Sequence, residues 1–414
     1  MNLSKLLILL LMLPIMAHAQ DDVDVFLIAR NTGEKVLANG DTIRVFGFAE
    51  SLGEQPGVPG PTIVMNEGDS VHIDVWNVSQ GAPHTIHLHG LDVNQENDGV
   101  PHLSWDIPHM QHGFYHFKAP HPGTYLYHCH VASTIHVQAG MYGLIIVKPS
   151  DGSNTTWDGG YEFTTDYSYF LSEIDTTWHR DEVLLHEHDT MMMVHPVSIP
   201  VFDPQFFLIN GFSDQQLEDE DIAYHSTVNQ VDHIRLANIG YCGTRVIFPP
   251  QLNAEIIASD GRPLNVNEVS DTVYVYPGER YDVLSSPGSE FVDEIQFEYF
   301  DLNTLVIKGT QYVAAEVIGF YSVGEQSIDQ FTFRLAPNPS NGIVRLEFDL
   351  PIARSLGIRV TDVSGRLVEE LPVQGLGFGA HSIALDLQGN PIGPYVITVL
   401  LDDGSALSQI LILD

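Results

Sequence analysis

The chain has 414 residues, enough for two or three domains at roughly 100–200 residues each, and 54 acidic against 17 basic residues give it a formal charge of -37. Such a charge repels nucleic acid and anionic lipid and excludes polyanionic partners. The apolar fraction of 44% is that of an ordinary globular protein, so the acidity is a surface property and not a sign of disorder.

The opening MNLSKLLILLLMLPIMAHAQ has one lysine, an apolar run from Leu6 to Met16 and a small-x-small site at Ala17-His18-Ala19. This reads as a secretory signal peptide over residues 1–20. Its apolar run is too short to span a bilayer and no other stretch approaches the length needed, so no membrane span is expected. Two cysteines, Cys129 and Cys242, then sit in an oxidising compartment where they can pair. A cysteine set among histidines reads better as a ligand, and Cys242 as a small buried residue.

From there the pattern is β throughout. TIVMNEGDSVHIDVWNV, GTYLYH, MYGLIIV and DTVYVYPGERYDVL alternate between Gly, Pro, Asn and Asp turns, with no long helical period. VHIDVWNVS at 71–79 lines up with DHIRLANIG at 232–240, which implies two related β domains over about 24–150 and 180–320, with SDGSNTTWDGG as a linker.

Chemistry concentrates in two stretches of the first domain. In HCH, strand alternation points His128 and His130 one way and Cys129 the other, so one strand can serve two metal sites. His136 and Met141 follow at a loop's distance and can fold back to the Cys129 face. In PHTIHLHG, residues 83–90, His87 and His89 share a face while His84, three residues earlier, lies opposite in an extended strand. Pairing the two strands groups His84, Cys129, His136 and Met141, a soft-thiolate, two-imidazole, thioether set suited to blue copper. His87, His89, His128 and His130 form a second group behind it. Zinc fits less well, because it favours closed tetrahedral sets without methionine.

HTIHLHG, NDGVPHLSWDIP and HPGTYLYHCHVASTIHVQAGMYGLIIV, with GPTI and GDSV upstream, resemble the cupredoxin domain of multicopper oxidases, the family of laccases. FFLINGF, HIRLANIGY, EIIASDGRPL and YPGERYDVL resemble that family's non-ligating middle domain. The resemblance implies an all-β fold of two cupredoxin-like Greek-key barrels. It also implies type 1 copper at His84, Cys129, His136 and Met141, a type 2 position at His87, and type 3 positions at His89, His128 and His130. The implied activity is one-electron oxidation of a small reducing substrate coupled to oxygen reduction. The gap from Cys129 to His136 is two residues longer than in laccases. The family's trinuclear centre draws histidines from two domains, whereas VIFPPQLNAEIIASDG in the second domain has no histidine pair. A homo-oligomer or other histidines must then complete it. His186, His188 and His195 in LLHEHDTMMMVHP are candidates, or else polar residues on an outer strand, and Met191 to Met193 either touch copper or fill core.

Two further readings stay open. YHC and HVQAGM also resemble copper nitrite reductases, although that family has aspartate at the place of His87 and no histidine directly after the cysteine. A secreted blue copper electron carrier needs no second cluster at all. His102, His109, His112, His116 and His121 cluster in a loop region and carry no assigned role. Finally FRLAPNPSNGIVRLEFDLP, IRVTDVSGRLVEE and GPYVITVLLDDG, within 328–414, resemble the C-terminal sorting domain of the type IX secretion system, which implies a small β-sandwich acting as an export address.

Overall fold

Alternation builds the first barrel. In Ser70–Asn77, Val71, Ile73 and Val75 are buried while His72, Asp74 and Trp76 remain partly exposed, the signature of a strand with one face in a core. The computed structural model describes residues 21–185, 199–220, 222–319, 333–350, 354–362, 366–377, 379–401 and 406–414. The expected signal peptide, His186, His188, His195 and the Met191–Met193 run lie outside the described residues.

Two four-stranded sheets form the first barrel. One has the order Thr42–Ala49, Asp22–Val36, Ser70–Asn77, His112–Lys118, and the other Ile63–Asn66, Tyr142–Lys148, Gly123–His128, His87–His89. Between them lies a core that includes Phe46, Phe48, Tyr115, Tyr125 and Tyr127. The second barrel stacks a six-stranded sheet on a five-stranded one around Tyr169, Phe248, Phe297 and Tyr299. Its six-stranded sheet includes Thr165–Ile174, ahead of the expected start at 180, because this segment pairs in parallel with the fully buried Asp232–Asn238 and completes that sheet. Parallel pairs want cover on both faces.

The two barrels share a buried seam. Leu126, Val137, Tyr142 and Leu144 of the first pack against Phe170, Ala237 and Ile239 of the second. Tyr142 and Phe170 meet edge to face at 5.5 Å. Cys129 and Cys242 are both free and lie in separate cores, so they do not pair. Residues Phe320–Asp414 form a separate unit, in which a three-stranded and a four-stranded sheet enclose Val344, Leu346, Ile358, Ile397 and Val399. Among the described residues, no helix is long and apolar enough to cross a membrane.

Phe170 is 4% exposed at the seam. Phe170→Ala is expected to cost about 3–5 kcal/mol, read from urea denaturation, and an unchanged midpoint would show that the seam contributes little.

Candidate metal centre

The strand Gly123–His128 is buried along its whole length, so each face must find its own partner. Tyr125, Tyr127 and then Cys129 enter the first barrel's core, whereas Thr124 and Leu126 face the second barrel and His128 follows on their side of the strand. The short strand His87–His89 pairs antiparallel with it and sets His87 opposite His128. His84 is held outside that strand by a two-way backbone bridge with Ile107, at 3.1 and 2.9 Å.

On the core side, Cys129 Sγ lies 3.3 Å from His136 Nδ1 and 3.6 Å from His84 Nδ1. All three residues are essentially inaccessible to solvent. Two imidazole nitrogens of the same kind thus converge on one sulfur. Met141 is also fully buried, and its carbonyl accepts the Cys129 N–H at 3.0 Å, which binds the loop's end to its start. The expected loop between Cys129 and Met141 contains a short helix, Ser133–Ala139, that carries His136. This helix absorbs the longer spacing from Cys129 to His136, and at seven residues it is too short to show a helical period in sequence. Burial alone pushes the Cys129 thiol up, but the charge and hydrogen bond of His136, joined by His84, bring it down to about 5.

On the other side, His87, His89 and His128 bring their ring nitrogens within 4.8 Å of one another. The His130 ring centroid lies 5.4 Å from that of His87 and 5.9 Å from that of His128. The His87, His89 and His128 rings each have one nitrogen committed. His87 Nδ1 donates to the Asp98 carbonyl at 2.7 Å, and His128 Nδ1 donates to the Cys129 carbonyl at 3.1 Å, leaving Nε2 as the free donor pair on both. His89 Nδ1 sits 3.4 Å from His128 Nε2. Desolvation, with Arg280 and His87 adding like charge, holds His89 down to about 4. Desolvation likewise holds His128 down to about 3, against a weaker pull from its bond to the Cys129 carbonyl. Neutral imidazoles are the metal-binding form.

Sequence reasoning missed the second barrel's contribution. The Gly278 carbonyl accepts a hydrogen bond from the His89 ring. Arg280 Nη1 in turn donates to that carbonyl at 2.6 Å and pairs with Asp260 at 2.9 Å. Two glycines make this approach possible. A Cβ at Gly278, where φ is +85°, would fall 3.1 Å from the His89 ring. A Cβ on Gly90, the last residue of HTIHLHG, would fall 2.2 Å from Arg280 Nη2. The sequence signal was the PGER turn ahead of a buried strand, which by itself names no partner. The five unassigned histidines do not cluster: His112 and His116 sit on the outer strand His112–Lys118, His109 bonds the Ser79 carbonyl, His121 the Pro122 carbonyl, and His102 borders a cavity with His130.

Comparison with known proteins gives a family for the first barrel and for the C-terminal unit. Residues 49–152 match the multicopper oxidase family model, and residues 334–413 match the secretion system C-terminal sorting domain. The chain carries a multicopper oxidase domain. An L-ascorbate oxidase of Cucurbita pepo var. melopepo is 27% identical over 55% of this chain and 42% of its own. A copper-containing nitrite reductase of Neisseria gonorrhoeae is 38% identical over 23% of this chain and 24% of its own. The blue copper oxidase of Nitrosomonas europaea superposes with a TM-score of 0.57 at 26% identity, covering 72% of this chain and 86% of that one. The chain therefore spans less than half the length of these two curated relatives. Copper is the cofactor the oxidase domain implies, and the donors fit it: one soft thiolate with two imidazoles, and a separate group of neutral imidazoles.

Two outcomes follow. Because His89 and His128 take protons in the unfolded chain near pH 6.5 but resist them when folded, the metal-free protein should lose stability as pH falls from about 6.5, to about 4 through His89 and to about 3 through His128. Cys129 acts in the same sense from about 8.5 down to about 5. Glu173, raised to about 7 mainly by burial, opposes them over part of this range. Urea midpoints at stepped pH should therefore fall toward acid, less steeply in His128→Gln, and an identical slope in that variant would count against the buried neutral ring. Arg280→Ala should weaken metal retention at the His89 group by about 10- to 100-fold in chelator competition, with Arg280→Lys intermediate; equal retention in all three would leave Arg280 without a positioning role.

Proposed function

We propose that the chain is an exported, laccase-like copper oxidase that takes single electrons from a small reducing substrate and passes them to oxygen. The observation that carries this reading is the position of Cys129, whose side chain joins His84 and His136 while its two peptide neighbours, His128 and His130, face the other histidine group. Copper held at these two groups would supply one-electron redox chemistry on one side and oxygen reduction on the other.

The chain's own residues prepare both places. His84, Cys129, His136 and Met141 are the proposed type 1 ligands, and the thiolate is already deprotonated at neutral pH. Their burial excludes water, which keeps the surroundings fixed while charge changes. The backbone from Cys129 to His128 and His130 is the covalent route between the groups. His87 is the proposed type 2 ligand, and His89, His128 and His130 the type 3 ligands; the rings of His87, His89 and His128 are oriented by the bonds they make. A cavity of about 610 Å³ lined by His102, Asp106, His130, Val131 and Ile135 borders the loop that ends at His136, and offers a small molecule an approach.

Four histidines supply half of a trinuclear centre of the family's kind. Among the described residues, the second barrel's nearest groups are a carbonyl and a guanidinium, so the remaining imidazoles would come from a neighbouring copy in a symmetric homo-oligomer, or from His186, His188 and His195, which lie outside the described residues. The sorting domain supports export to the cell surface or medium. Nitrite reduction is the second reading, favoured by the 38% identity noted above and opposed by His87 and His130, which suit a cluster of several metal ions.

Cys129→Ser should abolish both blue colour and turnover, whereas His87→Gln should keep the colour and lower oxygen uptake. Colour retained in Cys129→Ser would refute the assignment, and nitrite consumption without oxygen uptake would replace it with the second reading.

A further inference from the structure

On the outside of the first barrel, the register of Ser70–Asn77 against His112–Lys118 sets His72 opposite His116. Both side chains point away from the core, because the alternate positions Val71, Ile73 and Tyr115 are the ones buried. Their rings do not stack but cross at 76°, with centroids 4.7 Å apart, and this turns the two Nδ1 atoms toward each other at 2.9 Å. Neighbours fix the arrangement. His72 Nε2 lies 3.2 Å from Ser70 Oγ, and the His116 ring lies nearly parallel to Phe114. The His116 backbone N–H is anchored on Asn97 Oδ1 at 2.7 Å.

At this distance either one ring N–H donates to the other ring's lone pair, or both lone pairs converge on one metal ion lying to the side of the line between the nitrogens. Two nitrogens each about 2.0–2.1 Å from a metal and at right angles to one another lie about 2.9 Å apart. The pair thus matches adjacent ligands of a tetragonal ion better than the wider spacing of a tetrahedral one. Cu²⁺ has that geometry and stands highest in affinity for such nitrogen sites among the divalent first-row ions. The chain's charge of -37 raises the local concentration of any cation. Parallel pairing also places Asp24 beside His72 on the neighbouring strand.

We propose that His72 and His116 form a surface site for a divalent transition metal, Cu²⁺ above Zn²⁺, separate from the two interior groups. Water completes the coordination, so the ion exchanges readily. The site stands whether or not the interior groups hold copper, since it shares no residue with them.

The test uses the full chain, as isolated with its interior metal and dialysed free of loose ions, titrated with Cu²⁺ alone and followed by calorimetry and electron paramagnetic resonance. The wild type is expected to take up one further equivalent with a nitrogen-ligated Cu²⁺ signal and to release it to a mild chelator without losing its interior copper. His72→Gln and His116→Gln should each lose that equivalent and that signal, while His225→Gln, which removes a half-exposed histidine of the second barrel, should keep both. Both replaced histidines are partly or fully exposed, so folding is preserved. The proposal is overturned if the wild type takes up no further equivalent, which leaves a shared proton between the rings, or if the extra uptake survives in His116→Gln. It is likewise overturned if His225→Gln abolishes the uptake equally, which makes it scattered surface binding.

Discussion

Side chains on a β-strand point alternately to opposite sides, and on Gly123–His128 both sides are buried against different things. Tyr125 and Tyr127 fill one barrel, and Thr124 and Leu126 meet the next, with His128 on their side of the strand. The same rule that sorts packing sorts the candidate ligands. Cys129 joins the tyrosine side and finds His84 and His136, while His128 joins the leucine side and finds His87 and His89. A shift of one residue in the pairing with His87–His89 would exchange the two environments and put a thiol at the seam and imidazoles in an aromatic core. Register is therefore under strong packing constraint here, quite apart from any metal.

The seam between the barrels then does for the imidazoles what the core does for the thiol. Burial lowers the proton affinity of His89 and His128, and Arg280 reinforces it for His89. The thiol responds in the opposite sense, because His136 and His84 outweigh its desolvation and favour the anion. Both groups reach the form that binds a soft or borderline cation at neutral pH, by different physical means. This division explains why one group can be wholly sealed while the other lies along an interdomain surface.

Much of this was legible in the sequence because alternation is local. HCH and HTIHLHG state the parity of six ligand candidates without any knowledge of the fold, and the β-rich barrels follow from the same two-residue period. What could not be read was set by contacts distant in sequence. Gly278 and Arg280 meet His89 across some 190 positions, and nothing near them marks the meeting. Thr165–Ile174 belongs to the second barrel through its parallel pairing with Asp232–Asn238, a partner that local pattern does not name. The helix Ser133–Ala139 is too short to print a period, and the histidines from His102 to His121 are near one another in sequence but spread over an outer strand and several loops.

The hydrogen bond from the His89 ring to the Gly278 carbonyl also sets an order of events. Until the second barrel has folded and docked, His89 has no acceptor for its outer nitrogen and Gly90 faces no guanidinium. The second barrel is thus part of what fixes the direction of the His89 ring. The shape of that histidine group therefore belongs to the two barrels together and not to the first barrel alone.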